Sequence, residues 1–214
     1  VDKCLEFVRE NGDAGGDIVV KSDQEPSMEY LIKELEAERS TGKTVVEEAP
    51  KKSSGSNGVV ERGVQEIEGR IRGIFIGFQE KLGEDIDCRE RIVAFIPEYA
   101  AYLSNRLCVG DDGKVPYERI KGKRPSVLGI EFGEKVMYKL PKGQKMEKLN
   151  ARWAEGIFVG VSRKSNEIMV ANSEGIHFAR SIKRVAREKR WSRDCVEMLS
   201  LIHISEPTRR TPIS

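Results

Sequence analysis

Residues 17–26 read Asp17-Ile18-Val19-Val20-Lys21-Ser22-Asp23-Gln24-Glu25-Pro26. A short apolar run gives way at once to turn and capping residues. Ile18-Val19-Val20 suits a buried strand, and Ser22 to Pro26 suits a strand-to-helix junction. From Ser27 to Arg39 the apolar residues Met28, Leu31, Ile32 and Leu35 fall at helical spacing. Gly42 ends that helix, and Thr44-Val45-Val46 reads as a second short strand. This strand–helix–strand order places the first part of the chain in the α/β class. Upstream, residues 2–10 read as the tail of an amphipathic helix with Leu5 and Val8 on one side, broken by Asn11-Gly12 and Gly15-Gly16.

Downstream, Pro50 to Gly58 holds no large apolar residue and reads as a loop. A long helix is expected from Val59, with Val60, Val64, Ile67, Ile71, Ile74 and Phe78 as its apolar stripe. Gly63, Gly69, Gly73 and Gly77 interrupt it, each at a cost of about 1 kcal/mol relative to alanine. Close helix packing or mutational decay would account for them. Residues 89–108 read as a further helix interrupted at Pro97, and 114–130 as a linker punctuated by proline and glycine. From Glu131 the pattern turns to β: Lys135–Tyr138, Gly156–Val161, Ile168–Val170 and Ile176–Ala179 are four expected strands. Short strands at that density predict a small all-β barrel.

The 214 residues carry a formal net charge of +2. That near-neutrality hides an uneven distribution. Residues 1–112 carry a net −9, residues 113–193 a net +12 and residues 194–214 a net −1. An acidic part is joined to a basic one, and a basic block points either to a polyanionic partner or to a solvated charged face. Four scattered cysteines (Cys4, Cys88, Cys108, Cys195) form no CxxC pair and read as reduced intracellular thiols. No apolar run reaches the roughly 20 residues of a membrane span, so no membrane partner is expected.

Two carboxylates stand out by position. Asp23 follows the first strand, and Glu61 falls in the first turn of the long helix, 38 positions later. Carboxylates so placed can converge at a sheet edge and hold divalent metal. Asp23 is equally suited to cap the helix after it, and Glu61 to complement the positive end of its own.

At these residues the chain resembles a family. Lys21-Ser22-Asp23-Gln24-Glu25-Pro26 and Asn57-Gly58-Val59-Val60-Glu61-Arg62 are similar to the second and third catalytic motifs of retrotransposon and retroviral integrases. Three further segments resemble copia-type elements in particular. They are Val115-Pro116-Tyr117-Glu118-Arg119 with Gly122-Lys123-Arg124-Pro125, then Phe132-Gly133, then Ala151-Arg152-Trp153 with Gly156-Ile157-Phe158-Val159-Gly160. The motifs are collinear over about residues 1–190.

The resemblance implies a partial ribonuclease-H-like core over 1–98, a helical linker over 99–130, a basic β-barrel-like domain over 131–193 and a tail over 194–214. It implies a DNA strand transferase in which Asp23 and Glu61 are catalytic and metal-binding, with two Mg²⁺ (or Mn²⁺) ions in the intact protein. Lys51, Lys52, Asn57 and Arg62 would face DNA, as would Lys135, Lys148, Arg152, Lys183 and Arg184 of the basic part. Arg62 is alternatively placed to pair with Glu66. The implied partners are element-end and target DNA and further copies of the chain, in the nucleus or an intracellular element particle.

The family's first catalytic Asp lies on an earlier strand, and only 22 residues precede Asp23. The chain therefore reads as an N-terminally truncated fragment that also lacks the family's zinc-binding His/Cys domain. By itself it is expected not to transfer strands. Residues 199–214, beginning Leu199-Ser200-Leu201-Ile202-His203-Ile204, resemble a translated sequencing adapter and are set aside from fold reasoning. The rival readings are a non-catalytic DNA-binding or assembly module and a relic of a decayed element.

Overall fold

The strand–helix–strand expectation holds in the computed structural model, which describes residues 1–22, 25–48, 58–140 and 151–193. Strand β1 (Ile18–Ser22) runs parallel to β2 (Thr44–Glu48), in register from Ile18 opposite Thr44 to Ser22 opposite Glu48. Parallel strands need a crossover, and helix α2 (Pro26–Glu38) lies between them in the chain. Its start is set by Pro26, whose fixed φ and missing N–H suit a first turn. It buries Ile32 and Leu35. Arg39, which follows α2, donates to the Gly16 carbonyl at 2.5 Å and to Thr44 Oγ1 at 3.1 Å. Asp17 Oδ1 accepts the Lys43 N–H at 2.7 Å. Gly42 adopts φ +77, and a side chain there would run into the Gly16 carbonyl. Helix α1 (Asp2–Glu10) precedes this unit.

Helix α3 (Gly58–Leu82) begins where the pattern placed it. Its stripe is not evenly buried. Phe78 is buried, and Ile71, Ile74 and Phe75 pack against the same core. Val59, Val60 and Val64 are exposed. A methyl group added at Gly63, Gly69, Gly73 or Gly77 would meet nothing within 4 Å, so close packing does not explain these glycines. A 3₁₀ turn (Arg91–Phe95) leads into α4 (Ile96–Leu107), and Pro97 sits in the first turn of α4 rather than interrupting a longer helix. The segment 114–130 holds a short helix, α5 (Pro116–Lys121), and buries Val115 and Ile130.

The β part is a five-stranded antiparallel sheet of β3 (Lys135–Lys139), β4 (Trp153–Val161), β5 (Ile168–Asn172), β6 (Gly175–Ala179) and β7 (Ile182–Arg184). Its spatial order is β6-β5-β4-β3-β7. The expected barrel is corrected here. Among the described residues no pairing joins β6 to β7, so the sheet is open. The physical reason lies in what covers it. A sheet can hide its apolar surface by closing on itself or under a helix. Here Ile92, Ile96 and Tyr99 join Phe158, Val159 and Val170 in one core. Tyr99 meets Phe158 edge-on at 5.4 Å and donates its hydroxyl to the Ile130 carbonyl at 2.9 Å. Burial, reinforced by neighbouring Tyr102, Glu131 and Glu134, pushes the Tyr99 hydroxyl up to about 12. An irregularity between Phe158 and Gly160 bends β4.

The chain divides into two compact units. One holds Val1–Glu66 with Pro116–Arg124, and the other holds Ile67–Val115 with the residues from Pro125 onward. The first carries the parallel strand pair and the second the antiparallel sheet.

Candidate nucleic-acid interface

Alternation along β3 and β4 decides which side chains share a face. Val136 and Tyr138 point into the core, and Lys135, Met137 and Lys139 point the other way. Across the β3–β4 ladder, Met137 stands opposite Glu155 and Lys139 opposite Trp153. Across the β3–β7 ladder, Met137 stands opposite Lys183. Directly opposed residues lie on one face, so Met137, Lys139, Trp153 and Lys183 form a cluster. The Lys183 ammonium lies over the Trp153 ring, 4.4 Å from its centroid, a cation–π contact. Trp153 is half-buried, and Lys139, Lys183 and neighbouring Arg152 are exposed. No carboxylate among the described residues pairs with these three cations.

The other described basic candidates on the sheet have carboxylate partners. Lys135 reaches Glu155 at 2.6 Å. Arg184, on the opposite face, makes a two-pronged contact with Glu134, Nε to Oε1 and Nη2 to Oε2, both at 2.7 Å. Arg190 approaches the same carboxylate at 3.4 Å, and the Glu131 N–H donates to it at 3.3 Å. The Glu134 side chain is 0% exposed. Burial alone would raise this carboxyl. The Arg184 hydrogen bonds and charge, the Glu131 N–H and the Arg190 charge outweigh it and hold the group below its ordinary value. Sequence reading passed over Glu134, yet a signal was present. Position 134 shares its strand phase with Val136 and Tyr138, which marks an inward-facing carboxylate in need of a cation.

Glu61 is exposed in the first turn of α3. Arg62 reaches back to the Gly58 carbonyl at 3.4 Å. Asp23, Lys51, Lys52, Asn57, Lys148 and the tail from 199 lie outside the described residues. Among the described residues no group of three or more His, Cys, Asp or Glu side chains could hold a metal ion. Of the two carboxylates expected to hold metal, only Glu61 falls among the described residues. His177 Nε2 lies 2.9 Å from Asn172 Oδ1, and its ring stacks on Tyr138 at 5.3 Å. That is a structural setting.

No family model and no curated protein matches the chain. Among solved structures, it is similar to a chain of the simian T-cell lymphotropic virus intasome, determined by cryo-EM in complex with the PP2A regulatory subunit B56 gamma. The likeness is distant: 12% identity and a TM-score of 0.40 over 86% of this chain. It takes in 63% of that chain, less than two thirds of its length. Among the described residues no helix is long and apolar enough to cross a membrane.

Proposed function

We propose that this chain is an integrase-like DNA-binding protein, and more finely a segment of a copia-type retrotransposon integrase that joins element DNA to a target. The observation that carries DNA binding is the pair Lys139 and Lys183 beside Trp153 on one sheet face, with exposed Arg152 next to Trp153 in the chain; among the described residues no carboxylate pairs with these three cations. It lies within the block of net charge +12. The finer reading is supported by the collinear motifs around Asp23, Glu61, Pro116 and Gly156. On that reading Asp23 and Glu61 are the metal-binding carboxylates of the intact protein, Mg²⁺ or Mn²⁺ is its cofactor, and other copies of the chain are its partners. It would work in the nucleus or in an element particle.

On this reading the lysines and arginines meet phosphates, contacts that carry no sequence information. Binding to duplex DNA should therefore be indifferent to sequence and fall steeply with salt. Replacing Lys139, Arg152 and Lys183 together with glutamine should flatten the slope of log affinity against log salt by about 0.9 per lost contact, or about 2.7 in all. Titration of labelled duplex at several salt concentrations measures this. An unchanged slope in the triple variant, or no binding by the unmodified chain at low salt, would refute the proposed face.

A further inference from the structure

The two edges of the five-stranded sheet are unlike. β7 is three residues long and carries Lys183 and Arg184, a short charged edge that resists further pairing. β6 reads Gly175-Ile176-His177-Phe178-Ala179, with no charge and no proline. Among the described residues its only strand partner is β5. The two-residue turn Ser173-Glu174 closes on Asn172 opposite Gly175. Such a turn closes on a hydrogen-bonded pair. Alternation then commits the backbone groups of Gly175, His177 and Ala179 to β5 and turns those of Ile176 and Phe178 outward. Phe178 is 47% exposed.

We propose that β6 pairs antiparallel with β6 of a second copy of this chain, about a two-fold axis at His177. In that register each Ile176 exchanges both backbone hydrogen bonds with Phe178 of the partner subunit, and their side chains meet on one face. The flanking charges choose this register. Glu174 ends the turn three residues before His177 and Arg180 follows β6 three residues after it, so the two-fold axis brings Glu174 to the end of the pairing where the partner's Arg180 lies, and the reverse. Their side chains are 78% and 90% exposed. Glu174 now lies 3.9 Å from His177, and Arg180 lies 3.3 Å from Glu167. Sliding the strands by two residues either way keeps the outward backbone groups in play but loses both charge pairs. The pairing gives a surface to the self-association proposed above and does not depend on DNA binding, whose residues lie on β3, β4 and β7.

The test is sedimentation of the full chain without nucleic acid. The unmodified chain should show a concentration-dependent dimer. Glu174→Arg or Arg180→Glu alone should weaken it about tenfold, as two symmetry-related cross-strand pairs turn from attractive to repulsive. The double reversal should restore it. Independently, the Ile176 and Phe178 amides of the unmodified chain should exchange more slowly as concentration rises, while those of His177 and Ala179 should not change. A chain that stays monomeric would overturn the proposal. So would equal weakening in the single and double variants, or exchange at Ile176 that ignores concentration. Loss of DNA binding with the dimer intact would count against the DNA-binding face alone.

Discussion

Arg184→Met should lower the unfolding free energy of the sheet-bearing unit by about 3 kcal/mol. The change leaves Glu134, whose side chain is 0% exposed, without its two-pronged partner. Breaking a buried pair from one side costs about 3–5 kcal/mol, because the remaining charge has neither water nor a counter-ion. The lower end applies because Arg190 stays at 3.4 Å. Removing both charges, with Glu134→Leu and Arg184→Met together, should recover most of the loss, since an apolar pair of similar volume needs no desolvation.

The pH dependence follows from the direction of the Glu134 shift. Its carboxyl is held low in the folded chain, so its contribution is present above the ordinary carboxyl range and disappears as pH falls through the folded value. In Arg184→Met the largest lowering influence is gone, and burial should carry the group above its ordinary value. That variant should then be most deficient at neutral pH and approach the unmodified chain in acid. Urea unfolding followed by tryptophan fluorescence at several pH values measures both effects. A deficit that does not change with pH would rule out the buried carboxylate as its source.

Phe78→Ala should cost about 3–5 kcal/mol, the range for removing a buried aromatic ring. Phe78 is 2% exposed and is where α3 joins the core of the sheet. Its ring meets Phe132 edge-on at 5.6 Å and Trp191 at 6.5 Å. Gly133 shows how tightly that ring is held. It adopts φ +83, donates its N–H to the Phe158 carbonyl at 2.9 Å, and would drive any side chain into the Phe78 ring. Gly133→Ala therefore combines left-handed strain with a clash. In the Phe78→Ala background the clash is gone and only the strain remains, so the two substitutions should be less than additive. Denaturant midpoints of the two single variants and the double variant test this, and strict additivity would contradict the contact.

The local elements were legible because their causes are local. The junction at residues 17–26 and the run Thr44-Val45-Val46 foretold β1, α2 and β2 by spacing and punctuation alone. Four of the five strands after Glu131 announced themselves in the same way; the three-residue β7 carries too short a pattern to do so. Closure of the sheet did not, because it depends on what covers the sheet. Tyr99 and Ile96, read only as part of a helix, supply that cover from far away in sequence. Pro97 is ambiguous in sequence because a proline breaks a helix in its interior and starts one in its first turn, and only the register of α4 tells which. Within the candidate site, Lys183 and Arg152 were recognisable as basic residues. That Arg184 belongs to Glu134, and that Lys183 lies over Trp153, depends on pairings across strands far apart in the chain.

The order of the strands also bears on time. β4, β5 and β6 follow one another through short turns, so their pairing closes small loops and should form early. β7 must return past them to reach β3, and it joins by only three residues. It is the natural last strand to dock and first to leave. The Glu134–Arg184 clamp should therefore act after the folding barrier, so that Arg184→Met speeds unfolding in stopped-flow measurements and leaves the folding rate nearly untouched.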